Sequence, residues 1–212
     1  PGEAKPDWQI LCDVAKAAGY SGMDYKDTSG IMEEIRQVTP IYGGMSYDRL
    51  EPHGLQWPCL SLEHPGTPYL HKDKFAKGIG TFMPRPFIEP KENPDQEYDF
   101  ILSTGRIYWH WHTRTLTSRT STLEREAPKP YVEINPADAI DLKIMNNEIV
   151  KVTSRRGNVK LSALVTERVA KKSCFIPFHY REAAANVLTI NAIDPIAKIP
   201  EYKVCAVKVE KL

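Results

Sequence analysis

The sequence predicts a mainly β chain with short helices, in which about six short strands close into a barrel. A small helical segment and a long ordered connector precede the barrel. Two observations carry this. From Tyr98 to Val209, short apolar runs recur with only brief helical stretches between them, the spacing expected of a closed barrel. From Ile41 to Pro94, prolines, glycines and aromatics alternate with no sustained period, so that region is extended without being disordered.

The segment 1–40 holds two helices. Asp7 can cap the first, Trp8, Leu11, Val14, Ala15 and Ala18 share one face, and Gly19 ends it. The second runs from Ser29 to Val38, with Ile31, Met32 and Ile35 inward and Pro40 stopping it. Residues 41–94 form the connector, with one more helical turn near Tyr42–Leu50. Residues 95–212 supply the barrel. Its strands are expected at Tyr98–Leu102, Tyr131–Ile134, Glu148–Ser154, Val159–Thr166, Ser173–Phe178 and Lys203–Val209. Arg155 to Asn158 form the turn of a hairpin. Asn135 caps a short helix with Pro136 at its first position and Asp138 near its positive end; both polar residues are expected to be structural.

Composition narrows the function. Hydrophobic residues make up 42% of the 212 and charged residues 26%, enough for a core. A net charge of +1 gives no basic field for nucleic acid. No apolar run approaches the roughly 20 residues of a membrane span. Pro1 to Pro6 contain neither an initiator Met nor a signal pattern, which is expected of a segment cut from a longer chain or of a processed or separately encoded subunit. The cysteines Cys12, Cys59, Cys174 and Cys205 are far apart, so an iron–sulfur or zinc site within the chain is not expected. Cys174 and Cys205 are expected buried and Cys59 exposed enough to react.

The densest polar stretch runs from Ser103 to Thr117, where the first strand ends in Thr104-Gly105-Arg106 and His110-Trp111-His112-Thr113 follow. Hydroxyls, free amides and a guanidinium suit phosphate oxygens, because Arg donates two parallel hydrogen bonds and Gly lets the backbone approach. His110 and His112, taken as neighbours on one strand face, could hold a metal only with further ligands, of which His179 is the plausible one. Hydrogen bonding to a large polar ligand fits better. Two other polar clusters are Pro177 to Thr189, with Phe178, His179 and Asn186, and Pro200-Glu201-Tyr202-Lys203. Read alone, Asn186 is a turn or cap residue and Lys203 a solvated charge.

The Thr-Gly-Arg-x-x-x-His-x-His-Thr block, the Phe178-His179 block with Asn186-x-Leu-Thr and Asp194-Pro195, and the closing Pro-Glu-Tyr-Lys-x-Cys-Ala-Val resemble one family in order. It is the dimethyl sulfoxide reductase family of molybdopterin oxidoreductases. Arg49-Leu-Glu, Gln56-Trp-Pro-Cys and His64-Pro-Gly-Thr-Pro-Tyr-Leu extend the resemblance upstream, within the formate dehydrogenase alpha-subunit subgroup. The resemblance implies a six-stranded double-psi barrel that caps a bis(molybdopterin guanine dinucleotide) cofactor with molybdenum or tungsten. It implies cofactor contacts from Thr104, Gly105, Arg106, His110, Trp111, His112 and Thr113, and from Phe178, His179, Asn186, Tyr202 and Lys203. Asn147 and Lys172 stand where relatives carry glycine.

The resemblance further implies that the metal ligand, the residues acting on substrate and any iron–sulfur cluster belong upstream, so this stretch binds cofactor and does not turn over alone. The rest of a catalytic subunit and electron-transfer subunits are its implied partners. Formate oxidation is the implied activity; nitrate reduction, or a standalone cofactor-binding subunit, is the alternative.

Overall fold

A computed structural model describes residues 2–51 and 53–212. The chain forms two compact units, Pro1–Pro84 and Arg85–Leu212. No helix among the described residues is long and apolar enough to cross a membrane.

In the first unit, α1 spans Asp7–Ala17 and α2 spans Thr28–Val38. Pro6 holds the cap position of α1, so Asp7 falls in the first turn instead, and Gly19 follows at φ +81°. α2 begins one residue before the expected Ser29, because the Asp27 carboxylate accepts from the Gly30 amide at 2.8 Å and caps it there. Neither helix has a buried residue. Leu11 and Val14 are 60% and 61% exposed, and Ile35, expected inward, is also exposed. The apolar stripes are real but have no core beneath them within this unit.

The expected helical turn appears as α3, Tyr47–Leu50. Around it, one side chain organises the irregular chain. The Arg49 guanidinium donates to the carbonyls of Gly44 at 2.7 Å, Ser61 at 3.2 Å and His64 at 2.7 Å. The Cys59 amide donates to Ile41 O, and the Gly44 amide to Cys59 O, each at 2.8 Å. This folds Cys59 completely out of solvent, contrary to the exposure expected of it, with Sγ 3.5 Å from the Arg49 guanidinium. Gly44 makes the packing possible: a Cβ there would lie 2.0 Å from Ser61 O and 2.5 Å from the Cys59 sulfur.

The second unit is a closed six-stranded barrel. Its strands are β1 Phe100–Gly105, β2 Tyr131–Ile134, β3 Ile149–Thr153, β4 Asn158–Val165, β5 Ser173–Pro177 and β6 Cys205–Lys211. Around the barrel they run β1-β5-β2-β4-β3-β6. The β1/β5 and β2/β4 pairs are parallel and the other four antiparallel, so every strand has two partners and no edge is left open. Alternate residues point inward. Phe100, Leu102, Val132, Ile134, Val150 and Val152 meet Ile176 and Val207 in one core. Cys174 and Cys205 are buried in it, as expected, and burial pushes their thiols up, Cys205 to about 11.

Short helices α4 (Ser121–Glu126) and α5 (Pro136–Asp141) fill connections. Asn135 caps α5 through the Ala137 amide and donates to Val169 O at 2.9 Å. Asp138 is buried and accepts from the Lys172 amide at 2.7 Å. Both are thus structural. Asn147 and Lys172 adopt φ +67° and +59°, the backbone that explains glycine at such turns. At Lys172 the Asp138 contact and an ion pair to Asp99 hold that conformation.

Candidate functional site

The parallel pairing of β1 with β5 builds the site. Gly105 and Pro177 end the two strands in register, and the Phe178 amide then donates to Gly105 O at 3.1 Å. Arg106 and Phe178 therefore leave the barrel side by side. Gly105 leaves room here for the Phe175 ring, which a Cβ would meet at 2.9 Å, so any side chain at 105 requires that ring to shift.

After β5, two 3-10 turns, Arg181–Ala183 and Ala185–Val187, bring Asn186 to the same end of the barrel. A clamp fixes this loop. Arg156 donates to Leu188 O at 3.0 and 2.9 Å and grips the Glu92 carboxylate, which also accepts the Ala206 amide at 2.8 Å. The guanidinium and the amide hold the Glu92 carboxyl below its usual range. The chain entering β6 contributes Pro200, Tyr202 and Lys203.

Together these segments enclose a cleft of about 720 Å³, lined by Gly105, Arg106, Phe178 and Asn186 and by Pro200, Tyr202 and Lys203. Thr189 and Ile190 complete the wall. Its size is that of a cofactor site. The Arg106 guanidinium lies 5.5 Å from the Trp111 ring centre and 6.0 Å from that of Phe178, which orients its plane. Among the described residues, neither Arg106 nor Lys203 is paired with a carboxylate. Two unpaired cations, an amide side chain, an aromatic ring and apolar walls can take a ligand with an anionic middle and flat, hydrogen-bonding ends.

Of the residues singled out in the sequence, Gly105, Arg106, Phe178, Asn186, Tyr202 and Lys203 share this cleft, and Trp111 stands beside it against Arg106. Thr104 is only 3% exposed and donates its hydroxyl to Tyr202 O at 2.7 Å. His110 is buried: Nε2 donates to Ala127 O at 3.1 Å, and Nδ1 lies 3.0 Å from the Thr117 hydroxyl. His179 is buried 5.0 Å from it, ring centre to ring centre. Burial, with His110 and Arg114 nearby, lowers its pKa to about 4, and Nε2 has no partner among the described residues. His112 and Thr113 are exposed on the loop after β1.

The shared strand face expected of His110 and His112 is not formed. β1 ends at Gly105, and positive φ angles at His112 (+46°) and Arg114 (+66°) break the alternation, leaving one imidazole buried and the other exposed. Sequence reasoning missed Arg114, whose guanidinium bridges Glu124 and Glu182 over the Tyr180 ring and anchors the loop. It also missed the Glu92–Arg156 clamp. Neither pair is close enough in sequence to leave a local signal.

Residues 100–206 match the family model described as Molydopterin dinucleotide binding domain. The chain is 49% identical over its whole length to the F420-dependent formate dehydrogenase subunit alpha of Methanocaldococcus jannaschii, covering 32% of that protein. It is 36% identical to the assimilatory nitrate reductase catalytic subunit of Bacillus subtilis, over 99% of the chain and 31% of the relative. The chain thus spans about a third of the length of these relatives. The structure of acetylene hydratase from Pelobacter acetylenicus superposes with a TM-score of 0.69 at 16% identity, covering all of this chain and 33% of that one, and shares the fold.

Proposed function

The chain belongs to the molybdopterin dinucleotide-binding family, and from that premise we propose that its cleft holds a guanine dinucleotide arm of a bis(molybdopterin guanine dinucleotide) cofactor in a formate dehydrogenase. The observation that carries this reading is the convergence of Arg106, Asn186 and Lys203, from three separate parts of the chain, on one cleft.

The residues present fit the group. Arg106 and Lys203 offer charged donors to pyrophosphate oxygens, and Gly105 leaves room for close approach of the backbone. Asn186 can both donate to and accept from a purine edge, while Phe178 and Ile190 offer flat and apolar surface. When bound, the cofactor supplies the two-electron chemistry of a molybdenum or tungsten centre, and the protein supplies binding, orientation and electrostatics. In this reading Trp111 and Phe178 hold the Arg106 plane, and the Glu92–Arg156 clamp holds the loop carrying Asn186.

Formate is the proposed substrate of the whole protein, oxidised to carbon dioxide with release of two electrons and a proton. The 49% identity to a formate dehydrogenase subunit, against 36% to a nitrate reductase, supports formate over nitrate. Coenzyme F420 is the acceptor to try first, given the name of that relative. The deciding experiment assays the full-length protein with formate and a viologen dye, and separately with nitrate. Formate-dependent dye reduction is expected; nitrate reduction without formate oxidation would overturn the substrate assignment.

A further inference from the structure

Thr104 does not line the cleft, yet it ties the strand end carrying Gly105 and Arg106 to the segment carrying Tyr202 and Lys203, which do. The antiparallel ladder between β1 and β6 pairs Phe100 with Val207, Ile101 with Ala206 and Leu102 with Cys205, and stops there. Continued in register, the next inward residue of β1, Thr104, would face Lys203. Instead the chain before β6 turns away, and the Thr104 hydroxyl bridges the parting strands by donating to Tyr202 O at 2.7 Å. The bond is shielded from water, since Thr104 is almost wholly buried. That raises the cost of leaving its acceptor unmade.

Beyond it, residues 190–201 form a largely exposed loop held mostly by its own contacts. The Asp194 amide donates to Ile199 O at 2.8 Å, the Glu201 amide to Ala192 O at 2.9 Å, and the Asp194 carboxylate caps Ile196 and Ala197. Among the described residues, its one other polar tie is weak: the Lys91 amide to the Glu201 carboxylate at 3.3 and 3.4 Å. The Tyr202–Lys203 turn therefore takes its position from β6 on one side and from Thr104 on the other.

We infer that Thr104 is a positioning residue: its buried bond to the Tyr202 carbonyl sets where Lys203 stands in the cleft, towards the anionic part of the ligand. This rests on the reading of the cleft as a dinucleotide site. Thr104 itself touches no ligand in this account. Its hydroxyl is the specific element, because the hydroxyl alone makes the bond to Tyr202 O.

The test follows loss of bound guanine nucleotide from the purified holoprotein, by timed gel filtration and chromatography of the nucleotide released by acid. Thr104→Val, which keeps the shape and removes the hydroxyl, is expected to shorten the half-time of loss about fivefold or more; Thr104→Ser is expected to stay within about twofold of wild type. Adding Thr104→Val to Lys203→Ala is expected to change little beyond Lys203→Ala alone, since the role runs through Lys203. A general loosening of the barrel would instead multiply the two effects. Wild-type retention in Thr104→Val, or multiplied losses in the double variant, would overturn the inference. If Thr104→Val does not accumulate folded, Thr104→Ala against Thr104→Ser isolates the hydroxyl, and equal retention in that pair overturns it as well. A wild-type holoprotein that carries no guanine nucleotide sinks the dinucleotide reading itself, a failure distinct from these.

Discussion

Gly105 of β1 and Pro177 of β5 are register partners at the ends of two parallel strands, and the peptide beyond them is tied back by the Phe178 amide to Gly105 O at 3.1 Å. One strand pair thereby delivers a guanidinium and an aromatic ring to the same mouth. Each needs the other strand to be where it is.

The missing side chain at Gly105 is the first point to test. A Cβ would meet Cε2 of Phe175 at 2.9 Å, and that ring is partly exposed and able to swing. Gly105→Ala is therefore expected to cost less than about 1 kcal/mol, whereas the branched Gly105→Val should cost about 1–3 kcal/mol. Urea unfolding measures both. Adding Phe175→Leu should recover part of the Val penalty; no recovery would place the strain elsewhere.

The Glu92–Arg156 clamp makes a prediction with a definite pH direction. Contacts from Arg156 and the Ala206 amide lower the folded-state pKa of Glu92, so its stabilisation is complete above the ordinary carboxylate range. It is lost as pH falls below about 4 and through the folded value. Glu92→Gln should cost about 1–3 kcal/mol at neutral pH, because the buried side of Arg156 loses a charged acceptor. Stability measured against pH should then fall less steeply in the variant on the acid side. Parallel curves would mean that the ion pair contributes nothing.

His179 acts at higher pH. Its folded-state value of about 4 lies below the roughly 6.5 of an unfolded histidine, so between the two the unfolded chain binds the extra proton. Stability from this group is complete above about pH 6.5 and declines as pH falls towards 4, by up to about 3 kcal/mol. His179→Phe should flatten that part of the profile. A variant with an unchanged slope between pH 6.5 and 4.5 would show that His179 takes up its proton in the folded state at little cost.

These three sites differ in how far the sequence reveals them. The strands were legible because alternation of apolar residues has a fixed period of two and the barrel buries one face of each. Asn135 and Pro136 announced their helix because capping is a local matter. The left-handed turns at Asn147 and Lys172 could be suspected because a family pattern puts glycine there. By contrast, the exposure expected of Cys59 failed, because its burial depends on Arg49 gathering three carbonyls and on the space left by Gly44. The strand expected around His110 and His112 failed through positive φ angles that non-glycine residues rarely signal. The site shows the same division. Arg106 carries recognisable chemistry, Asn186 and Lys203 stand out only through the family resemblance, and the Glu92–Arg156 clamp and the Thr104–Tyr202 bond exist only once distant segments meet.

Arg106 offers the most direct measurement. The full-length protein carrying Arg106→Ala is to be purified beside wild type, and its molybdenum or tungsten and guanine nucleotide contents determined with the affinity of retention. Loss of one charge-assisted anchor predicts weaker retention by about 1.5–3 kcal/mol, roughly tenfold or more. Metal and nucleotide contents equal to wild type, held with equal affinity, would contradict a role for this cleft in gripping the dinucleotide.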